Sequence, residues 1–296
     1  MKIFCNANSV SQNRRIIKLF LRNLILGACL VAPMVGHASL AASDNAGNYT
    51  TSWNSGDNHG SGFGSWSFDN TSNGGSAGEY LATGNNGNSQ INSSGNAWGM
   101  YANGSSTAQA NAIRPFTGGA LAVGQTLSFS MDNGFINSSS DNSGGLAGVV
   151  GVSLRNSSPV NIFELYFTGG TIDYTLNING NSVTTSVGFT STGLNLAFTQ
   201  GSGNAWTFGI TPVGGSTTTY TSAGTGDYLA SSDIDEIRFF TQGTGSASGG
   251  THDSFFNNLS ITAVPEPITI ALPIFGGIFG VVSLRRYLSQ RITSAV

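Results

Sequence analysis

Between positions 63 and 261, apolar residues recur at every second place, in short runs broken by clusters of Gly, Ser, Asn and Thr. QTLSFSMDNG (125–134) sets Leu127, Phe129 and Met131 against polar neighbours. NIFELYFTGG (161–170) puts Phe163, Leu165 and Phe167 on one face and Ile162, Glu164 and Tyr166 on the other. Ile172, Tyr174 and Leu176 continue on one parity after the Gly-Gly step, and LNLAFTQ, AWTFGITPV, IDEIRFFTQ and SFFNNLSIT repeat the theme. Successive side chains of a strand point to opposite faces, so this pattern reads as half-buried strands, and no stretch of the middle sustains a helical period. Asn179-Gly180 before NSVTTSVGF is a two-residue hairpin signal. Roughly a dozen strands at such spacing predict an all-β fold, a two-sheet antiparallel jelly-roll sandwich. With no fixed-period repeat and no internal linker, the span reads as one domain rather than a solenoid or propeller.

Composition tests that reading. The chain has 42 Gly in 296 residues and only 8% charged residues, which would suit disorder. Its 18 Phe, 8 Tyr and 4 Trp, however, are enough to fill a core. Between Ser43 and Ala263 three arginines (Arg114, Arg155, Arg238) face ten Asp and three Glu, a formal charge of −10. Such a surface repels nucleic acid, whose binders cluster Lys and Arg. Both cysteines, Cys5 and Cys29, fall before residue 41, so the rest of the chain has no disulfide to staple it.

The two ends are of another kind. Lys2, Arg14, Arg15, Lys18 and Arg22 precede the apolar run LILGACLVAPMV and the small residues GHASLAA. Basic, then apolar, then small residues is the order of a secretory leader, here 1–41, cut after Ala41 or, as an alternative, after Ala38. LGAC resembles a lipoprotein box at Cys29, but apolar residues continue past that cysteine. NRRIIK lacks the continuation of a twin-arginine signal. At the far end, residues 268–284 carry no charge and are long enough for a short membrane helix. The basic end 285–296, with Arg285 and Arg286, would hold the tail in the cytoplasm and the domain, 42–263, outside.

Val264-Pro265-Glu266-Pro267, the apolar run and Arg285-Arg286 together resemble the PEP-CTERM sorting tail, here 264–296. The resemblance implies an exosortase as processing partner, transient anchoring in the inner membrane through the helix, and later transfer to the cell surface or beyond. Two prolines suit such a motif, since they keep the segment extended and without donors. GFGSWSF, GQTLSFSMDNG and SFFNNLSITAVPEP are similar to PEP-CTERM ectodomains of jelly-roll, concanavalin A-like build. The function implied is structural or adhesive, in an exopolysaccharide or biofilm layer. The alternatives are a carbohydrate-binding module and, behind it, a glycoside hydrolase.

The residues offer little catalytic chemistry. His59 and His252 lie in loops with no frame for a serine triad, so no enzyme is expected. Glu164 is an acid inside an aromatic strand, with no second acid sharing its pattern, and reads as a solvent-facing strand residue. No cofactor is expected beyond a structural Ca²⁺, for which Asp253 is the candidate ligand. Trp66 and Trp206 read as core; Trp98 and Trp53 are the candidates for stacking on an extracellular glycan. Residues 43–61 read as a loose lead-in.

Overall fold

The computed structural model describes residues 39–263, apart from 84–90, 143, 191, 204, 226–232 and 246–249. Ala38, the sorting motif Val264, Pro265, Glu266 and Pro267, the apolar run, Arg285 and Arg286 all lie outside the described residues. Among the described residues, no helix is long and apolar enough to cross a membrane.

The strands, in chain order, are β1 (Ser39–Asp44), β2 (Ser67–Phe68), β3 (Ser76–Thr83), β4 (Asn96–Asn103) and β5 (Gln109–Pro115). Next come β6 (Thr126–Asn133), β7 (Val149–Arg155), β8 (Asn161–Thr168), β9 (Asp173–Ile178) and β10 (Asn181–Gly188). The last are β11 (Leu194–Gln200), β12 (Trp206–Pro212), β13 (Thr218–Thr221), β14 (Glu236–Gln242) and β15 (Ser254–Ala263). One sheet has eight strands in the order β13-β12-β11-β6-β15-β4-β3, with β1 also on β15; the other has seven, β10-β9-β8-β7-β14-β5-β2. Every named pair is antiparallel, and the expected jelly-roll sandwich fits this arrangement.

Alternation makes the core. Phe163, Leu165 and Phe167 point inward from β8, as do Phe129 and Met131 from β6. Facing rings interlock across the sheets: Phe239 of β14 stacks on Phe256 of β15 at 4.3 Å, and Phe163 meets Phe208 of β12 at a tilt, 4.8 Å between ring centres. The Asn179-Gly180 hairpin forms as read, with φ of 48° and 87°, a left-handed pair that Asn and Gly supply at low cost.

Residues 43–61 are not a loose lead-in. β1 pairs with the last strand, and the segment after it carries Tyr49 and Trp53 into the core at 1% and 2% exposure. The run lacks alternation because it crosses the end of the sandwich as turns, held by side-chain bonds. Ile172, read on one parity with Tyr174 and Leu176, lies outside the strand, which begins at Asp173, and is 80% exposed.

Candidate functional site

The outer face of the seven-stranded sheet carries a connected row of polar side chains. Register sets its rows. Glu164 of β8 lies opposite Ser153 of β7 and Asn177 of β9, and Ser153 lies opposite Arg238 of β14. Residues directly opposite in antiparallel strands share a face, so these four form one row across four strands. Glu164 Oε1 accepts from the Ser153 hydroxyl (2.7 Å), Asn161 Nδ2 (2.8 Å) and Arg238 (3.3 Å). Its Oε2 accepts from Asn177 Nδ2 (3.1 Å). Arg238 also donates to Ser153 Oγ at 2.8 Å.

An adjacent row is aromatic. Tyr166, Gly151 and Phe240 lie side by side in register. A Cβ at Gly151 would strike the Leu165 carbonyl, Tyr166 Cβ and the Phe240 ring, so glycine is what lets β7, Tyr166 and Phe240 approach so closely. The Arg238 guanidinium caps Phe240 at 4.7 Å from the ring centre. Arg155 and Glu236 pair beside this face, Nε to Oε1, at 2.9 Å. Burial, and then Arg155, hold the Arg238 pKa below its usual value; burial raises that of Glu236. On the side of β9 and β10 the face is open: Tyr166, Thr175, Asn177, Ser182 and Thr184 are all at least partly exposed, and the Tyr166 hydroxyl stands 3.5 Å from Ser182 Oγ.

This geometry says what Glu164 does. A general acid needs a free oxygen aimed at a substrate, whereas here four donors surround the carboxylate and hold it in place. Neither is it a plain solvent-facing residue, since its side chain is 13% exposed. Its role is to tie β7, β8, β9 and β14 together beneath the open part of the face.

Trp53 and Trp98 require a correction. Both are buried, at 2% and 0% exposure, and neither presents a ring to a glycan. Trp53, Trp66 and Trp98 form one cluster, with ring centres 5.0 to 5.9 Å apart, packed on Phe239 through Trp66 and Trp98. Gly-rich flanks made both look like loop residues, but Trp98 sits on β4 in register with Leu81 and Phe256. Partly exposed aromatic residues within the described strands are Phe68, Tyr80, Tyr101, Tyr166 and Tyr220, of which Tyr166 lies on the open side of the seven-stranded sheet's outer face.

Asp253 precedes β15, and its Oδ2 accepts from the Tyr80 hydroxyl at 2.6 Å; burial raises its pKa. Among the described residues no three His, Cys, Asp or Glu come together as a metal site would require. His252 contacts the Thr244 carbonyl (3.0 Å) and Phe135 edge-on, and His59 packs edge-on against Tyr49 at 4.7 Å. Among the described residues, no serine or threonine hydroxyl is hydrogen-bonded to either histidine ring.

No protein-family model matches the chain, and no curated protein does. Among solved structures, it is similar to the ligand-binding domain of botulinum neurotoxin serotype D in complex with N-acetylneuraminic acid (12% identity, TM-score 0.39). That match takes in 72% of this chain, which spans about half (46%) of the toxin domain's length. It is also similar to the catalytic domain of a GH131 β-glucanase from Podospora anserina (14%, TM-score 0.43, 67% of this chain and 85% of that one). A third is a protein of unknown function from Shewanella oneidensis MR-1 (10%, TM-score 0.40, 89% and 97%). Likeness this distant says nothing of function, which has to come from the residues.

Proposed function

We propose that this is an exported surface or matrix protein, sorted at its tail by an exosortase, whose β-sandwich adheres to polysaccharide in the extracellular polymer layer. The observation that carries the reading is the order of parts. A leader, an all-β domain closed by β15 at Ala263, the Val264-Pro265-Glu266-Pro267 step, an apolar run and paired arginines follow one another without a gap. The motif starts at the residue after the last strand, where a processing enzyme would find extended chain beside a folded domain.

Charge supports a neutral glycan as the ligand. Each arginine of the domain is matched to a carboxylate: Arg114 to Asp44, Arg155 to Glu236, Arg238 to Glu164. With no lysine after Lys18, the domain offers no free cation to a uronate or sulfate polymer. Hydroxyl and amide groups around Tyr166 suit a neutral polyhydroxyl chain.

The test is fractionation and intact-mass analysis of the wild type and of a Pro265→Ala/Glu266→Ala variant, in a host that carries an exosortase. The wild type should lose its tail near Glu266, and the variant should stay full-length in the membrane. Identical, tail-bearing protein in both would sink the sorting role.

A further inference from the structure

A leader cut after Ala38 and one cut after Ala41 leave different first strands, and the fold discriminates between them. β1 starts at Ser39 and pairs with the end of β15, Ser39 opposite Ala263 and Leu40 opposite Thr262, before a register shift brings Ala42 opposite Ile261. A cut after Ala41 removes those first two pairs and half of the strand. It also places a new α-ammonium group on Ala42, a residue only 2% exposed, two positions before the buried Asp44. Either the packing around Ala42 opens to hydrate that group or the charge stays in a buried place, and burying one unpaired is strongly unfavourable. Gly62 closes the site further: a Cβ on it would strike Ala42 and the Ala41 carbonyl, so the chain at 41–42 is wedged against the 60–62 loop. Ser43 is bonded to Ser61 in both directions, each N–H to the other's carbonyl at 2.8 Å.

We propose that the leader is removed between Ala38 and Ser39, so that β1 in its entirety begins the mature chain. The inference rests on the export reading above. Gly36 and Ala38 supply the small residues that the cut needs at its third and first positions. The new amino group then falls on the outermost residue of the strand. Because Ser39 pairs with Ala263, the leader junction and the residue before the sorting motif lie side by side at one end of the sandwich. Both processing events therefore act on the same end of the domain.

Full-length protein is expressed in an exporting host, and the mature N-terminus is read by mass spectrometry for the wild type, Ala38→Gln and Ala41→Gln. Ala41 is solvent-exposed, so its glutamine variant keeps the fold. Wild type and Ala41→Gln should both begin at Ser39, and Ala38→Gln should lose that terminus. A wild-type chain beginning at Ala42, or an Ala41→Gln chain that is no longer cut, overturns the site while leaving export standing. A wild-type chain that keeps its leader overturns the export reading and the site with it.

Discussion

Two ion pairs of the same chemistry sit in opposite surroundings. Arg114 and Asp44 are both at 0% side-chain exposure, inside the end of the sandwich; Arg238 and Glu164 are at 17% and 13% on the outer face of a sheet. The inner pair is fully partnered. Asp44 takes bonds from Tyr49, Asn45, Asn48 and Arg114, while Arg114 also reaches Gly64 and Asn58 and lies over the Trp66 ring at 4.7 Å. Tyr49 lies at the centre, accepting from Trp66 Nε1 at 2.9 Å, with burial and the nearby Asp44 carboxylate pushing its pKa up. The outer pair leaves Arg238 Nε and Asn177 Oδ1 without partners. A charge that cannot reach water must be satisfied within the protein, so the inner pair fixes structure absolutely. The outer pair only has to hold a face in register.

The inner pair should therefore show the largest effect. Arg114→Met leaves the Asp44 carboxylate buried and unpaired, and is expected to cost about 3–5 kcal/mol. Thermal or urea unfolding of the mature domain would measure it. The double variant Asp44→Asn/Arg114→Met removes both charges and should be less destabilised than Arg114→Met alone. If it is worse than that single change, the bond network, rather than the uncompensated charge, is what matters.

Next in size is a carboxylate with no counter-ion at all. Asp132 of β6 is 3% exposed and lies opposite Phe255, which belongs to a small apolar cluster with Ala82, Ile91 and Ala97 outside the eight-stranded sheet. Its Oδ2 has no partner, and burial raises its pKa to about 7, as burial does for Glu79. The folded state keeps a proton that the unfolded chain releases near pH 4. Stability from Asp132 is thus full below about pH 4, falls as pH rises, and is gone above about pH 7, an amount of about 2–4 kcal/mol. The domain should be more stable at pH 5 than at pH 7.5, the reverse of the behaviour expected where Arg-paired acids dominate. In Asp132→Asn that pH slope should shrink markedly; an unchanged slope would remove Asp132 as its source.

What the sequence revealed follows the same division. Strands and core were legible because period-two alternation is a local property, so Phe163, Leu165 and Phe167 could be placed inside from their own run. Partners across strands were not. Nothing in NIFELYF says that Ser153 and Arg238 lie beside Glu164, since that depends on the register of β7 and β14, the latter more than 70 residues away in the chain. The Arg114–Asp44 lock was hidden for a related reason: it joins the last residue of β1 to β5, 70 residues on, and no local period reports such a pairing. Composition did hold a clue. With only three arginines between residues 43 and 263, each was a candidate for one specific carboxylate.

Below these comes the outer network itself. Glu164→Gln keeps the size of the side chain but gives up charge-assisted bonds, and should cost about 1–2 kcal/mol, well under the inner pair. A loss equal to that of Arg114→Met would mean that exposure at the outer face is nominal and the two pairs are equivalent, which would erase the contrast drawn above.

The smallest effect on stability should be the most telling for function. Tyr166→Ala removes a partly exposed ring from the open side of the outer face, and is expected to change stability by no more than about 0.5 kcal/mol. Affinity electrophoresis in gels cast with neutral polysaccharides should nonetheless show it migrating freely where the wild type is retarded. Gels cast with uronate polymers should retard neither, because the domain has no unpaired cation to offer them. Retardation that survives Tyr166→Ala would move the glycan contact off this face. Stronger retardation by the uronate polymer would contradict the charge argument itself, since a domain of formal charge −10 would then be binding a polyanion with all three arginines already engaged.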